Sequence, residues 1–134
     1  VLTSFGDIYT WGRGDFGQLG HGDNVSRDVP TRMKLLDHRV QASHLAVGAD
    51  FCFVVALSGL VYSWGRNSFG QLGHGVPFNK DPARERVPLD ELSPRLVSFF
   101  SARGKDIPPI HLKQIACGAN HVVAVSEHRD VYAW

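Results

Sequence analysis

The chain has 134 residues, 43% of them hydrophobic and 20% charged, which is enough apolar matter for a folded core and too much for wholesale disorder. Fourteen Lys and Arg against thirteen Asp and Glu leave a formal charge of +1, so charge alone does not support nucleic acid or chromatin as a partner. There is no apolar run of about 18 residues and no cationic start leading into an apolar stretch, so neither a membrane span nor a secretory leader is expected.

Taken in chain order, Val1-Leu2-Thr3-Ser4 reads as the end of a strand, and Ile8-Tyr9-Thr10-Trp11 as a short β-branched and aromatic strand bounded by glycine. Residues 6–22 read GDIYTWGRGDFGQLGHG, and residues 59–75 read GLVYSWGRNSFGQLGHG, with twelve identities in seventeen positions at an offset of 53. Trp11, Gly12, Gly17, Gln18, Leu19, Gly20 and Gly22 thus recur as Trp64, Gly65, Gly70, Gln71, Leu72, Gly73 and Gly75. Val29-Pro30 aligns with Val87-Pro88 at an offset of 58, which makes the second copy five residues longer before this pair and twelve longer after it. Leu45–Asp50 answers to Ile115–Asn120 at an offset of 70, and Val131–Trp134 opens a third copy near position 129. Phe51–Leu57 and Val122–Val125 are nearly continuous apolar runs, the pattern of strands buried on both faces, and Ser58-Gly59 and Glu127–Asp130 read as tight turns. Units of about 50 residues built from short strands fit a β-propeller.

Residues 76–114 are the part that the repeat does not explain. Seven Lys and Arg against five Asp and Glu lie among several prolines. Ser93 as a cap, Pro94 at the first helical position and Gly104 as a stop predict a short helix, on which Leu92, Leu96, Phe99 and Phe100 share a face. Arg84, Arg86, Arg95, Phe99, Phe100 and Arg103 are the predicted partner-binding residues, because insertions in repeat proteins map to loops on one face.

The string WGRGDFGQLGHG, followed by a Val-Pro pair, a VxxGA segment and a strand into VYxW, resembles the regulator of chromosome condensation repeat. The resemblance runs end to end and implies a seven-bladed propeller, of which residues 1–134 would supply about two blades and part of a third. The fold expectation is therefore all-β, with blades of short antiparallel strands and one short helix in the insert. Because the chain opens and closes inside strands, it is expected to be a piece of a larger propeller. The resemblance also implies an intracellular protein, cytoplasmic or nuclear.

Other motifs are weaker. Gly12-Arg13-Gly14-Asp15-Phe16-Gly17 has the spacing of a dinucleotide fingerprint, but that chemistry needs a helix opening directly after it, and Gln18–Gly22 is broken by glycine. These glycines instead suit positive φ in a tight loop. Arg13-Gly14-Asp15 spells an adhesion tripeptide whose twin reads Arg66-Asn67-Ser68, and Asn24-Val25-Ser26 is a glycosylation sequon that matters only in a secreted protein. The seven histidines show no ligand spacing, and Cys52 and Cys117 align with Val122 and Val47 as small buried hydrophobes. The family's plant ultraviolet-B photoreceptor uses tryptophans in a Gly-Trp-Arg-His-Thr motif, and the matching places here, Gly48–Cys52 and Gly118–Val122, hold none. No catalytic set, cofactor or metal is expected. The expected function is a non-enzymatic scaffold presenting loops to another protein. The alternatives are guanine-nucleotide exchange on a Ran-like small GTPase, as the family's founding activity implies, and association with RNA or ribosomes.

Overall fold

The structure is a computed structural model that describes residues 1–34, 40–75, 89–101 and 108–134. Among the described residues, nine strands form three antiparallel sheets. The first pairs β1 (Tyr9–Gly12) with β2 (Arg27–Arg32), and a bridge between Leu2 and Ile8 adds the strand before them. The second is a complete four-stranded blade in the order β3 (Ala42–Val47), β4 (Phe51–Ala56), β5 (Val61–Gly65), β6 (Glu91–Leu96). The third orders β7 (Leu112–Cys117), β8 (Val122–Ser126) and β9 (Val131–Ala133). The all-β blade architecture read from the repeat is what the chain adopts.

The blades lie side by side because each hides its neighbour's apolar face. Ile8 and Met33 of the first blade pack with Cys52, Val54 and Trp64 of the second. Phe51, Phe53, Val61, Val97 and Phe100 of the second pack with Leu112, Val122 and Ala124 of the third. The central strands β4 and β5 are buried at every residue, as expected of strands covered on both faces.

The outer strand corrects the sequence reading. Residues 91–96 form β6, and a single 3-10 turn, Ser98–Phe100, is the one helical element among the described residues. The helix predicted to start at Pro94 is therefore absent at its start, and its proposed stop at Gly104 lies outside the described residues. Pairing with β5 overrides the local helix signal. Thr10 faces Thr31 and Gly12 faces Arg27, while Ser63 faces Arg95 and Gly65 faces Glu91, each pair flanking a register shift. The counterpart of Pro30 is thus Pro94 at an offset of 64, and the alignment of Val29-Pro30 with Val87-Pro88 is superseded. The second repeat is eleven residues longer before its outer strand and six longer after it. Both prolines sit on edge strands beside an irregularity, where a missing N–H costs no ladder bond and discourages pairing with foreign strands.

This topology sorts the connections. The turn between β3 and β4 and the loops after β1 and β5 emerge at one end of the blades. The turn between β4 and β5, its counterparts before β1 and between β8 and β9, and the connections into β3 and β7 emerge at the other. The two extra stretches of the second repeat therefore leave from opposite ends.

Candidate protein-binding surface

Most of the repeat signature is consumed by internal contacts. In the first copy the Gln18 side chain accepts from the Phe16 N–H (2.9 Å), and the Gln18 carbonyl accepts from Trp64 Nε1 of the next blade (2.9 Å). The second copy repeats this, with Gln71 accepting from Phe69 N–H and its carbonyl from Trp134 Nε1, both at 2.9 Å. Each indole thus fastens one blade to the loop of the one before. Gly20 is required by this joint: its φ is +75°, and an added Cβ would lie 2.7 Å from Trp64 Nε1 and 2.6 Å from Met33 Sδ. Leu19 and Leu72 are buried, and Gly12, Gly17, Gly22, Gly65, Gly70, Gly73 and Gly75 also take positive φ. Trp11, the same position on the first blade, is 45% exposed.

The signature histidines close the loops. Thr10 donates to the Leu19 carbonyl (2.8 Å), and Ser63 to the Leu72 carbonyl (2.8 Å). Each hydroxyl has one proton, so it accepts from the histidine: His21 Nε2–H donates to Thr10 (2.9 Å) and His74 Nε2–H to Ser63 (3.0 Å). Burial, aided by Arg27 beside His21 and Arg95 beside His74, lowers both imidazole pKa values.

Chemistry offered by single residues is also spoken for. Arg13 and Asp15 pair with each other at 2.5 Å on an exposed loop. Arg66 lies over the Phe16 ring at 4.7 Å and pairs with Asp50 at 3.6 Å, a second clamp between the first two blades. Both cysteines are free thiols, and burial pushes each up to about 12. Among the described residues no group of three His, Cys, Asp or Glu is placed to hold a metal, and no helix is long and apolar enough to cross a membrane.

The predicted partner-binding residues do not form one patch. Arg84, Arg86 and Arg103 lie outside the described residues. Phe100 is 3% exposed and belongs to the core, edge-on to Tyr132 at 5.7 Å. Phe99 is 43% exposed at the end of the blade where the chain leaves β6, and Arg95 sits exposed on β6, paired with Glu91. Two further exposed apolar residues stand at the opposite end, Phe69 at 70% and Leu89 at 73%. Phe69 belongs to the signature that the repeat alignment treats as structural, and Leu89 carries no motif.

A family model described as "Regulator of chromosome condensation (RCC1) repeat" matches residues 6–55 and 58–125. The chain belongs to the RCC1 repeat family. Among its relatives are the Arabidopsis thaliana ultraviolet-B receptor UVR8, 38% identical over 96% of this chain and 25% of the receptor, and human Protein RCC2, 32% identical over the whole chain and 27% of that protein. The human E3 ubiquitin-protein ligase HERC2 is 36% identical over the whole chain, which is 2% of the ligase. The crystal structure of human WBSCR16 superposes with a TM-score of 0.75 at 25% identity, over 99% of this chain and 29% of that one. Saccharomyces cerevisiae Prp20p superposes with a TM-score of 0.74 at 24% identity, over 99% of this chain and 30% of that one. The chain spans about a quarter of the length of the receptor and of Protein RCC2. RCC1 repeats therefore occur in proteins of quite different activity, and the shared part is the blade.

Proposed function

We propose that this chain is a non-enzymatic scaffold that presents loops of a rigid RCC1 blade array to a protein partner inside the cell, in the cytoplasm or nucleus. The observation that carries the reading is the division of labour in the signature. Its polar groups close loops and join blades, while Leu89 is left 73% exposed at the end where the longer loop of the second repeat emerges, the end at which Phe69 also stands. Exposed apolar side chains on a rigid platform are what a protein interface uses as anchors. Arg84 and Arg86 belong by sequence to that longer loop, and Arg95 is exposed on β6.

The test is the paired substitution Phe69→Ser and Leu89→Ser in the intact protein, with far-UV circular dichroism to establish folding. Recovery of the cellular partner should fall at least tenfold, and undiminished recovery of the same partner by the folded variant refutes the reading. Prp20p was described with its binding to Gsp1p and histones, and exchange on a Ran-like GTPase is the alternative function. Accelerated release of a fluorescent nucleotide from a small GTPase would favour it. RNA association would instead appear as binding that falls steeply with salt.

A further inference from the structure

The two copies of the signature build the same turn around different chemistry. Gly17 N–H donates to the Gly14 carbonyl (2.8 Å) in the first copy, and Gly70 N–H to the Asn67 carbonyl (2.9 Å) in the second. Asp15 and Ser68 therefore hold the same place in their turns, and each accepts from the arginine two residues before it. Arg13 Nε donates to Asp15 Oδ2 at 2.5 Å, and Arg66 Nε donates to Ser68 Oγ at 3.0 Å. The turn, the arginine and the direction of the bond are common to both copies. What differs is the acceptor, a carboxylate in one and a neutral hydroxyl in the other.

Ser68 is exposed, and its hydroxyl accepts from Arg66 while donating to nothing among the described residues. The exposure belongs to the position: Asp15, with the complete second blade beside it, still has a side chain 54% exposed. Arg66 is fixed from two other sides, with its guanidinium over the Phe16 ring at 4.7 Å and Nη1 3.6 Å from Asp50. A preset cation thus faces a reachable hydroxyl where the sister turn carries an anion. We propose that Ser68 is a phosphorylation site for a protein kinase that uses a nucleoside triphosphate, and that Arg66 holds the phosphate. In the transfer, the bond between the γ-phosphorus and the oxygen leading to the β-phosphorus breaks and the bond to Ser68 Oγ forms. The hydroxyl proton passes to the kinase's base, and the nucleoside diphosphate leaves. The product carries a charge of about −1.5 to −2 at neutral pH and three strong acceptor oxygens. Arg66 meets it with charge-assisted bonds from Nε without leaving Asp50, which Nη1 serves. The modification supplies reversibly what Asp15 supplies permanently, so two adjacent blades then present the same arginine-held acidic corner. The site stands whether or not Phe69 and Leu89 bind a partner.

The experiment uses the intact protein in three measurements. Purified from eukaryotic cells treated with a phosphatase inhibitor, it should show phosphate on Ser68 by peptide mass spectrometry, and phosphatase should remove it. With phosphoserine installed at position 68 by codon reassignment, phosphorus NMR should place the second phosphate ionisation about 0.5 pH or more below its ordinary value of about 6. Arg66→Gln should restore the ordinary value. Ser68→Asp, which copies the first repeat, should shift the urea unfolding equilibrium about twofold toward the folded state, and that shift should vanish in the Arg66→Gln background. No phosphate on Ser68, an ionisation indifferent to Arg66, or a destabilised Ser68→Asp protein would each overturn the inference. The last result would show that Asp50 repels a second anion at this corner more strongly than Arg66 attracts it.

Discussion

Gly20→Ala tests the joint between blades most directly, and the neighbouring glycines supply its controls. Alanine at φ +75° costs about 1–2 kcal/mol in backbone strain alone. Its Cβ would also meet Met33 Sδ at 2.6 Å and Trp64 Nε1 at 2.7 Å, and relieving such overpacking costs roughly 1–3 kcal/mol more. The total of about 2–5 kcal/mol should exceed the cost at Gly75, where φ is +68° and nothing lies within 4 Å of an added Cβ, so only the backbone cost of about 1–2 kcal/mol remains. Gly73→Ala should fall between them, because its Cβ would meet Trp134 Nε1 at 3.2 Å and Val97 Cγ1 at 3.4 Å. The assay is urea unfolding of the intact protein followed by far-UV circular dichroism, which does not depend on the tryptophans being altered. Adding Trp64→Phe completes a double-mutant cycle. Phenylalanine lacks the Nε1 atom that an alanine at position 20 would strike, so the double variant should be more stable than the sum of singles by about 1 kcal/mol. Equal costs at Gly20 and Gly75, or strict additivity with Trp64→Phe, would refute the claim that the signature glycine exists to admit the next blade's indole.

The histidines predict an acid-sensitive fold. The pKa values of His21 and His74 are lowered by burial, so the unfolded chain takes up their protons first; the stability that neutral imidazole provides is present above the ordinary value of about 6.5 and is lost as pH falls below it. The urea midpoint should therefore drop between about pH 7 and about pH 5, and His74→Gln, which keeps a side-chain N–H for Ser63 without titrating, should flatten that drop. Phe100→Ala should destabilise by about 3–5 kcal/mol because the ring is buried among Trp134, Tyr132 and Val97, whereas Phe99→Ala should cost about 1 kcal/mol, a contrast that thermal unfolding resolves directly.

How legible each element was depended on where its determining contacts lie. The loops of the signature were readable because their demands are local: left-handed backbone calls for glycine at Gly17 and Gly70, and the repeat displays the requirement twice. The central strands were readable because burial on both faces leaves a continuous apolar run in β4. The outer strand was not, since its state is decided by residues some thirty positions away. Ser93-Pro94 satisfies the start signal of a helix, and only the ladder to β5, with Tyr62 facing Leu96 and Ser63 facing Arg95, makes it extended. A nearby Val-Pro match then drew the alignment to residues 87 and 88, although Met33 and Val97 mark the true correspondence. Their N–H groups bond to Ile8 O and Val61 O at 2.8 Å each, and both side chains are buried.

The surface was least legible, for a related reason. A repeat alignment ranks positions by identity, so Phe16 and Phe69 look alike in the sequence. In the fold, Phe16 lies beneath Arg66 of the following blade, a position that has no counterpart for Phe69 within residues 1–134. The same logic in reverse brings out Ser68, which the alignment presents as a mere mismatch to Asp15. Only the shared turn and the shared arginine bond turn that mismatch into the exchange of a fixed charge for a hydroxyl. In a repeat protein, then, identity between copies reports what holds the blades together. The functional residues are to be sought where equivalent positions have the same geometry and different chemistry.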